Sequence, residues 1–233
     1  MSEAAHAETP LPQTKSWPRD YTETILICLI FVIFSRTFLF QQSKIPSGSM
    51  MDTLLVGDYI MVNRFVYGDA PTGLERALLP YQPIERGDVI VFKHPRVPEV
   101  DYIKRVIGLP GETIELRDGR LIVDGTEIDE PYVPENYRQL DDKRNFGPLA
   151  VEPGHFFVLG DHRNASSDSR RWRSGWQQVP GGMVKGRALM VWWSYEEQDG
   201  TRRSAGEHVR SWFEKLTHFF TRTRWSRMFR LIR

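Results

Sequence analysis

Ile114-Glu115-Leu116-Arg117-Asp118-Gly119-Arg120-Leu121-Ile122-Val123 decides the fold class. Two short apolar runs flank Asp118-Gly119, a pair that reaches positive φ at little cost, so the chain reverses in two residues with the twist its strands need. The segment predicts a β-hairpin. Outward from it the same pattern recurs from Ile45 onward, in Tyr59 to Val62, Val89 to Phe92, Tyr102 to Ile107, His155 to Leu159 and Ala188 to Trp193. Arg86-Gly87-Asp88, Leu109-Pro110-Gly111 and Asp124-Gly125 supply the reversals. Short strands at this spacing predict a mainly β, antiparallel-sheet domain over residues 41–207. Within it, Glu130 to Pro153 is polar and proline-rich, and predicts an excursion from the main sheet over about 130–153.

The chain has 233 residues, 40% hydrophobic and 26% charged, enough for one sizeable core plus appendages and incompatible with wholesale disorder. Its single cysteine, Cys28, excludes an internal disulfide framework and a cysteine zinc site. The six histidines show no H-x-x-x-H or H-E-x-x-H spacing, so no metal site and no cofactor are expected.

After an N-terminal tail (1–20), Ile25 to Phe34 is an unbroken apolar run, and the window Tyr21 to Phe40 spans about 30 Å as a helix, the thickness of a bilayer core. Glu23 and Arg36 leave twelve uncharged residues between them and must reach the interfaces by snorkelling. A buried core helix is one alternative and a cleaved signal peptide another; against the latter, the run continues Ser35-Arg36-Thr37-Phe38-Leu39-Phe40 without a small-residue cleavage site. An uncleaved transmembrane anchor over 21–40 is the favoured reading.

The net charge of +1 hides an asymmetry, since His208 to Arg233 carries seven Lys/Arg against one Glu and the other 207 residues sum to −5. In this tail (208–233), Val209, Trp212, Phe213 and Leu216, then Trp225, Met228, Phe229 and Ile232, repeat at helical spacing among Arg222, Arg224, Arg227 and Arg230. Such a basic amphipathic segment suits anionic phospholipid. Packing on the β domain and nucleic-acid contact are the competing readings.

Four blocks follow the anchor in order: Ile45-Pro46-Ser47-Gly48-Ser49-Met50-Met51-Asp52-Thr53-Leu54; Arg86 to Lys93; Asp101-Tyr102-Ile103-Lys104-Arg105-Val106 through Gly111; and Gly160-Asp161-His162-Arg163-Asn164-Ala165-Ser166-Ser167-Asp168-Ser169-Arg170. Taken together they resemble the bacterial type I signal peptidases, over most of residues 40–195. The residues make chemical sense of the likeness. A serine hydroxyl needs a base, and the imidazoles available, His94, His155 and His162, stand in no recognisable triad context. A neutral lysine is the other option, and it requires a pKa depressed by roughly two to three units through desolvation. Alternation along the strand puts Tyr102, Lys104 and Val106 on one face, so Lys104 would lie on an apolar wall. Lys93, beside His94-Pro95 at a strand end, is the solvated competitor.

The resemblance implies Ser49 as nucleophile and Lys104 as general base, with Ser47 and the Ser49 N–H forming the oxyanion hole. It also implies Ser166 and Asp168 as residues that orient the lysine. Asp161, Arg163, Arg170 and Arg105 read as structural support, the first three pairing within their own loop. Departures are Asp52 where the family usually has proline, expected to loosen the turn after the nucleophile, Asn164 and Ala165 in place of the usual Asp and Asn, and one membrane segment where larger members often have two. The implied activity is a serine endopeptidase anchored by a single pass in the bacterial cytoplasmic membrane, its catalytic domain on the exported side. It would remove signal peptides from secretory preproteins after small residues at A-x-A-type sites. The expected partners are those preproteins and membrane phospholipids, not nucleic acid, and the oligomeric state stays open. A Ser/Lys peptidase dedicated to one pilus precursor is the rival enzyme, and an anchored β scaffold the rival without catalysis.

Overall fold

Asp118 and Gly119 close their hairpin with φ of 49° and 80°, joining Thr113–Arg117 to Arg120–Val123 in the register Arg117↔Arg120, Ile114↔Val123. The computed structural model describes residues 17–34, 40–64, 82–196 and 218–232. Its strands are β1 (Phe40–Lys44), β2 (Asp58–Asn63), β3 (Val89–His94), β4 (Val97–Gly108), β5 (Thr113–Arg117), β6 (Arg120–Val123), β7 (Thr126–Ile128), β8 (Phe146–Ala150), β9 (His155–Leu159), β10 (Val179–Pro180), β11 (Val184–Ser194) and β12 (Arg230–Leu231). Helices are α1 (Trp17–Phe34), α2 (Glu135–Gln139) and α3 (Phe219–Arg222).

One sheet runs β1-β2-β11-β3-β4-β9-β10 with β12 added to β11; the other runs β7-β6-β5-β8, and the pairings are antiparallel throughout. The molecule is therefore mainly β, as the turn pattern predicts. Ile107, Phe157 and Leu159 of the large sheet meet Ile114, Leu116, Leu121 and Val123 of the small one in a shared core. Ile90, Phe92, Val106 and Val158 form a second cluster, and Ile45, Met50, Leu54, Ile60, Val62 and Val191 a third. Each fully buried side chain of this size contributes about 1.5–3 kcal/mol. The excursion holds α2 and also β8, which pairs with β5 at the edge of the small sheet.

The unit 1–38 contains α1, where Ile25, Leu26, Ile27, Leu29, Ile30, Phe31, Val32 and Ile33 are each more than half exposed. Such a run is apolar on every side of the helix. Among the described residues no helix is long and apolar enough to cross a membrane, and positions 35–39 of the expected span lie outside them.

The tail differs from the helical reading. The stripe Val209 to Leu216 lies outside the described residues, and Trp225, Met228, Phe229 and Ile232 do not share a helix face. Trp225–Arg227 is a 3-10 turn, Phe229 is left-handed (φ 59°), and Leu231 pairs with Met190 of β11. So short a helix is marginal by itself, whereas the sheet offers Ile232 a buried seat and a bond from its N–H to Leu189 O at 2.9 Å. Arg227 adds an ion pair to Asp58 at 2.6 Å, where Ser194 also donates at 2.6 Å.

Candidate active site

The turn that carries Ser49 is pinned by its apolar neighbours. Ile45, Met50 and Leu54 are 2%, 0% and 0% exposed, and between them Gly48–Met50 makes one 3-10 turn closed by the Met51 N–H on Gly48 O at 3.0 Å. Ser47 caps this turn without a side-chain hydrogen bond to it, so its hydroxyl is not committed to the local fold. A cavity of 520 Å³ opens here, lined by Ser47, Ser49, Met51, Val100, Tyr102, Ile103, Lys104 and Ala165.

Alternation along β4 sends Lys104 and Arg105 to opposite sides. Lys104 is 3% exposed, and its Nζ donates to Ser49 Oγ at 2.7 Å and to Ile103 O at 2.8 Å, with the Tyr102 ring 5.4 Å away. Burial lowers its pKa from 10.5 to about 8, while the charges of Asp168 and Asp161 pull the other way. With the amine neutral, the 2.7 Å contact reverses and the Ser49 hydroxyl donates to the Nζ lone pair, which is the geometry proton abstraction requires. Lys93 is exposed at the end of β3.

Arg105 meets Asp161 in a bidentate pair (2.9 and 2.7 Å), both side chains 1% exposed, and its guanidinium lies 4.0 Å from the Tyr132 ring. Thr53 donates to the same carboxylate at 2.5 Å, tying the turn after Ser49 to this pair. Arg163 reaches out to Glu130 (2.8 Å to Oε2), and Arg170 grips Asp168 (2.9 Å twice) and Asp141. The pairing within one loop therefore holds for Arg170 and Asp168 alone. Asp161 and Arg163 find partners on β4 and in the excursion, because side chains leaving a short loop inward meet neighbouring elements before they meet each other.

Asp168 is wholly buried; burial is the largest single influence and pushes its pKa up, but the Arg170 guanidinium, the Gly160 N–H and Ser166 together outweigh it and hold the carboxyl below the usual carboxylate range. The Ser166 hydroxyl is buried without a well-formed hydrogen bond and interacts with the Asp168 carboxylate. Neither residue bonds to Lys104 among the described contacts; Asp168 acts on it through charge. Gly160 sits between them and Ser49, where a Cβ would lie 2.1 Å from Ser166 Oγ and 2.5 Å from Ser49 O. Asn164 and Ala165 belong to the 3-10 turn Arg163–Ala165 against which α2 packs.

Three features escape the sequence. Asp52 takes φ 75°, a path closed to proline, so the turn after Ser49 follows a left-handed route that proline could not take. Glu130, buried at 1% exposure, carries no signal that it neutralises Arg163 thirty-three residues on. His162, without triad context, nevertheless touches the Ser49 turn, through its backbone N–H to Ser49 O at 3.2 Å.

A family model described as signal peptidase, peptidase S26, matches residues 18–193. A signal peptidase I of Pseudomonas aeruginosa is 34% identical over 208 residues, covering 76% of this chain and 73% of that protein. One of Leptolyngbya laminosa is 33% identical over 210 residues, 82% of this chain and 93% of its own. A signal peptidase I P of Bacillus subtilis subsp. natto is 37% identical over 158 residues, 65% and 77% of the two chains.

Proposed function

Since the chain belongs to the signal peptidase family, peptidase S26, and is a serine peptidase of the signal peptidase I kind, we propose that Ser49 is its nucleophile and Lys104 its general base. The observation that carries this is the 2.7 Å contact between the amine of a lysine 3% exposed and the Ser49 hydroxyl. Neutral Lys104 takes the Ser49 proton as Oγ attacks the scissile carbonyl, then returns it to the leaving amine; a water, deprotonated in turn, releases the acyl group. Ser47 Oγ and the Ser49 N–H hold the oxyanion, a role for which the uncommitted Ser47 hydroxyl speaks. Ser166 and Asp168 orient the lysine: the buried Ser166 hydroxyl, beside the Asp168 carboxylate, offers an oxygen that can accept an N–H of the amine, and Asp168 holds the charge of the conjugate acid. Asp161, Arg163, Arg170 and Arg105 form the buried scaffold.

The substrates are exported preproteins, cut after small residues at A-x-A-type sites by a cavity walled with Val100, Tyr102, Ile103 and Ala165. The enzyme is membrane-bound, with an N-terminal tail (1–20), an anchor over 21–40 and the catalytic domain over 41–207 on the exported side of the bacterial cytoplasmic membrane. The exposed apolar run of α1 supports the anchor. Phospholipid contact through the tail (208–233) is supported by the exposed Phe220, Trp225, Phe229 and Leu231 beside Arg222, Arg224 and Arg230. The test is incubation of the detergent-solubilised protein with a secretory precursor and mapping of the new N-terminus. A cut after a small residue, absent with Ser49→Ala, is expected; a precursor left whole, or a cut unaffected by that change, overturns the assignment.

A further inference from the structure

The peptide plane between Gly48 and Ser49 is held from outside its own turn by one side chain. His162 brings its ring Nδ1 to Gly48 O at 3.1 Å, and since a carbonyl oxygen only accepts, that nitrogen carries a hydrogen. The same residue donates its backbone N–H to Ser49 O at 3.2 Å, so two successive carbonyls of the nucleophile turn rest on it. In a trans peptide the N–H points opposite to the C=O of the same plane. Fixing Gly48 O towards His162 therefore aims the Ser49 N–H the other way.

His162 is itself held. The Tyr137 ring of α2 packs on the imidazole, ring centroids 4.0 Å apart and tilted by 39°, and the Tyr137 hydroxyl interacts with the Asp52 carboxylate. That carboxylate belongs to the left-handed residue three positions after the nucleophile. The contacts close a ring: Gly48 and Ser49 to His162, His162 to Tyr137, Tyr137 to Asp52, and Asp52 back to the turn.

We infer that His162, braced by Tyr137 and Asp52, is a positioning residue that aims the Ser49 N–H at the developing oxyanion. It acts through the peptide plane and need not touch substrate. The inference rests on the assignment of Ser49 as nucleophile and of its N–H to the oxyanion hole.

Steady-state kinetics on a signal-sequence peptide, with inhibition by a peptide aldehyde whose adduct places an oxyanion in the hole, tests it in the full-length enzyme. His162→Phe keeps a ring against Tyr137 and removes the donor. It is expected to lower kcat about tenfold, leave KM within about twofold, and weaken aldehyde inhibition in proportion to kcat. His162→Asn puts an amide N–H where Nδ1 stands and should recover kcat to within about threefold of wild type. Tyr137→Phe removes one hydroxyl from a half-buried ring and keeps the test open if His162→Phe does not fold; about threefold lower kcat at unchanged KM is expected. Wild-type kcat in His162→Phe, or in Tyr137→Phe where the former does not fold, overturns the inference. So does an Asn variant as impaired as the Phe variant, or aldehyde inhibition that stays constant while kcat falls. An inactive wild type, or a Ser49→Ala variant as active as wild type, would instead sink the catalytic assignment on which it stands.

Discussion

The pH dependence of kcat/KM follows from the burial of Lys104. An ordinary lysine of pKa 10.5 is neutral in about 0.03% of molecules at pH 7; with the pKa lowered to about 8 the neutral fraction becomes about 9%, a gain of about 300-fold. In free-energy units that is on the order of 3–4 kcal/mol set against the ammonium, desolvation exceeding the attraction of Asp168 and Asp161. Since the neutral fraction is about 1% at pH 6 and one half at pH 8, kcat/KM should climb about fifty-fold between them, with unit slope at first and a plateau above. The assay is initial-rate cleavage of a fluorogenic signal peptide in constant-ionic-strength buffers from pH 5.5 to 10. Lys93→Ala, which touches only an exposed amine, should trace the same curve. A profile flat from pH 6 to 8, a limb still rising at pH 9.5 as for a solvated lysine, or a midpoint moved by Lys93→Ala would refute the reasoning.

Ser49→Ala and Lys104→Ala should each lower kcat by about a thousandfold or more while leaving the protein folded, as far-UV circular dichroism with precursor cleavage would check. Lys104→Met should kill activity yet stabilise the fold. The unfolded lysine binds its proton more tightly than the folded one, so wild-type stability rises as pH climbs from about 8 to 10.5 and the full penalty stands at pH 7. Urea titration should show a gain of about 1–3 kcal/mol at pH 7 that vanishes above pH 10.5. Gly160→Ala, whose methyl would strike Ser166 Oγ and Ser49 O, should cost both activity and about 2 kcal/mol or more of stability by the same titration. Glu130→Gln strands the buried Arg163 and should cost about 3–5 kcal/mol, read from the denaturant midpoint.

Strands with alternating or continuous apolar faces, such as β3, β5 and β9, are legible because their burial pattern is local. Phe40–Lys44 is not: Gln41, Gln42 and Ser43 carry little strand propensity, and β1 exists because β2 offers it a ladder. Phe146–Ala150 reads as turn through Gly147-Pro148, yet an edge strand tolerates a proline that cannot donate. The tail's helical spacing is real in the sequence, but sheet pairing won over it. At the site, alternation along β4 foretold the wall on which Lys104 lies, whereas the choice of Ser49 over other serines came from resemblance. Glu130, Tyr137 and the contacts of His162 stayed hidden, since no local pattern reports which distant charge or ring a folded loop will meet.

In the large sheet, β1 and β2 meet β3 and β4 only by way of β11, a strand made more than 120 residues after β2. A nascent chain that has completed the fourth block thus carries Ser49 on one sheet fragment and Lys104 on another, with the ladder between them still unwritten. So long a wait for a central strand makes assembly slow, on the millisecond-to-second scale of non-local β topologies. Until β11 threads between β2 and β3, the hydroxyl's turn and the amine's strand are joined by loop contacts such as Thr53–Asp161–Arg105 and by no ladder, so their sheet register is set only when that late strand pairs with both sides.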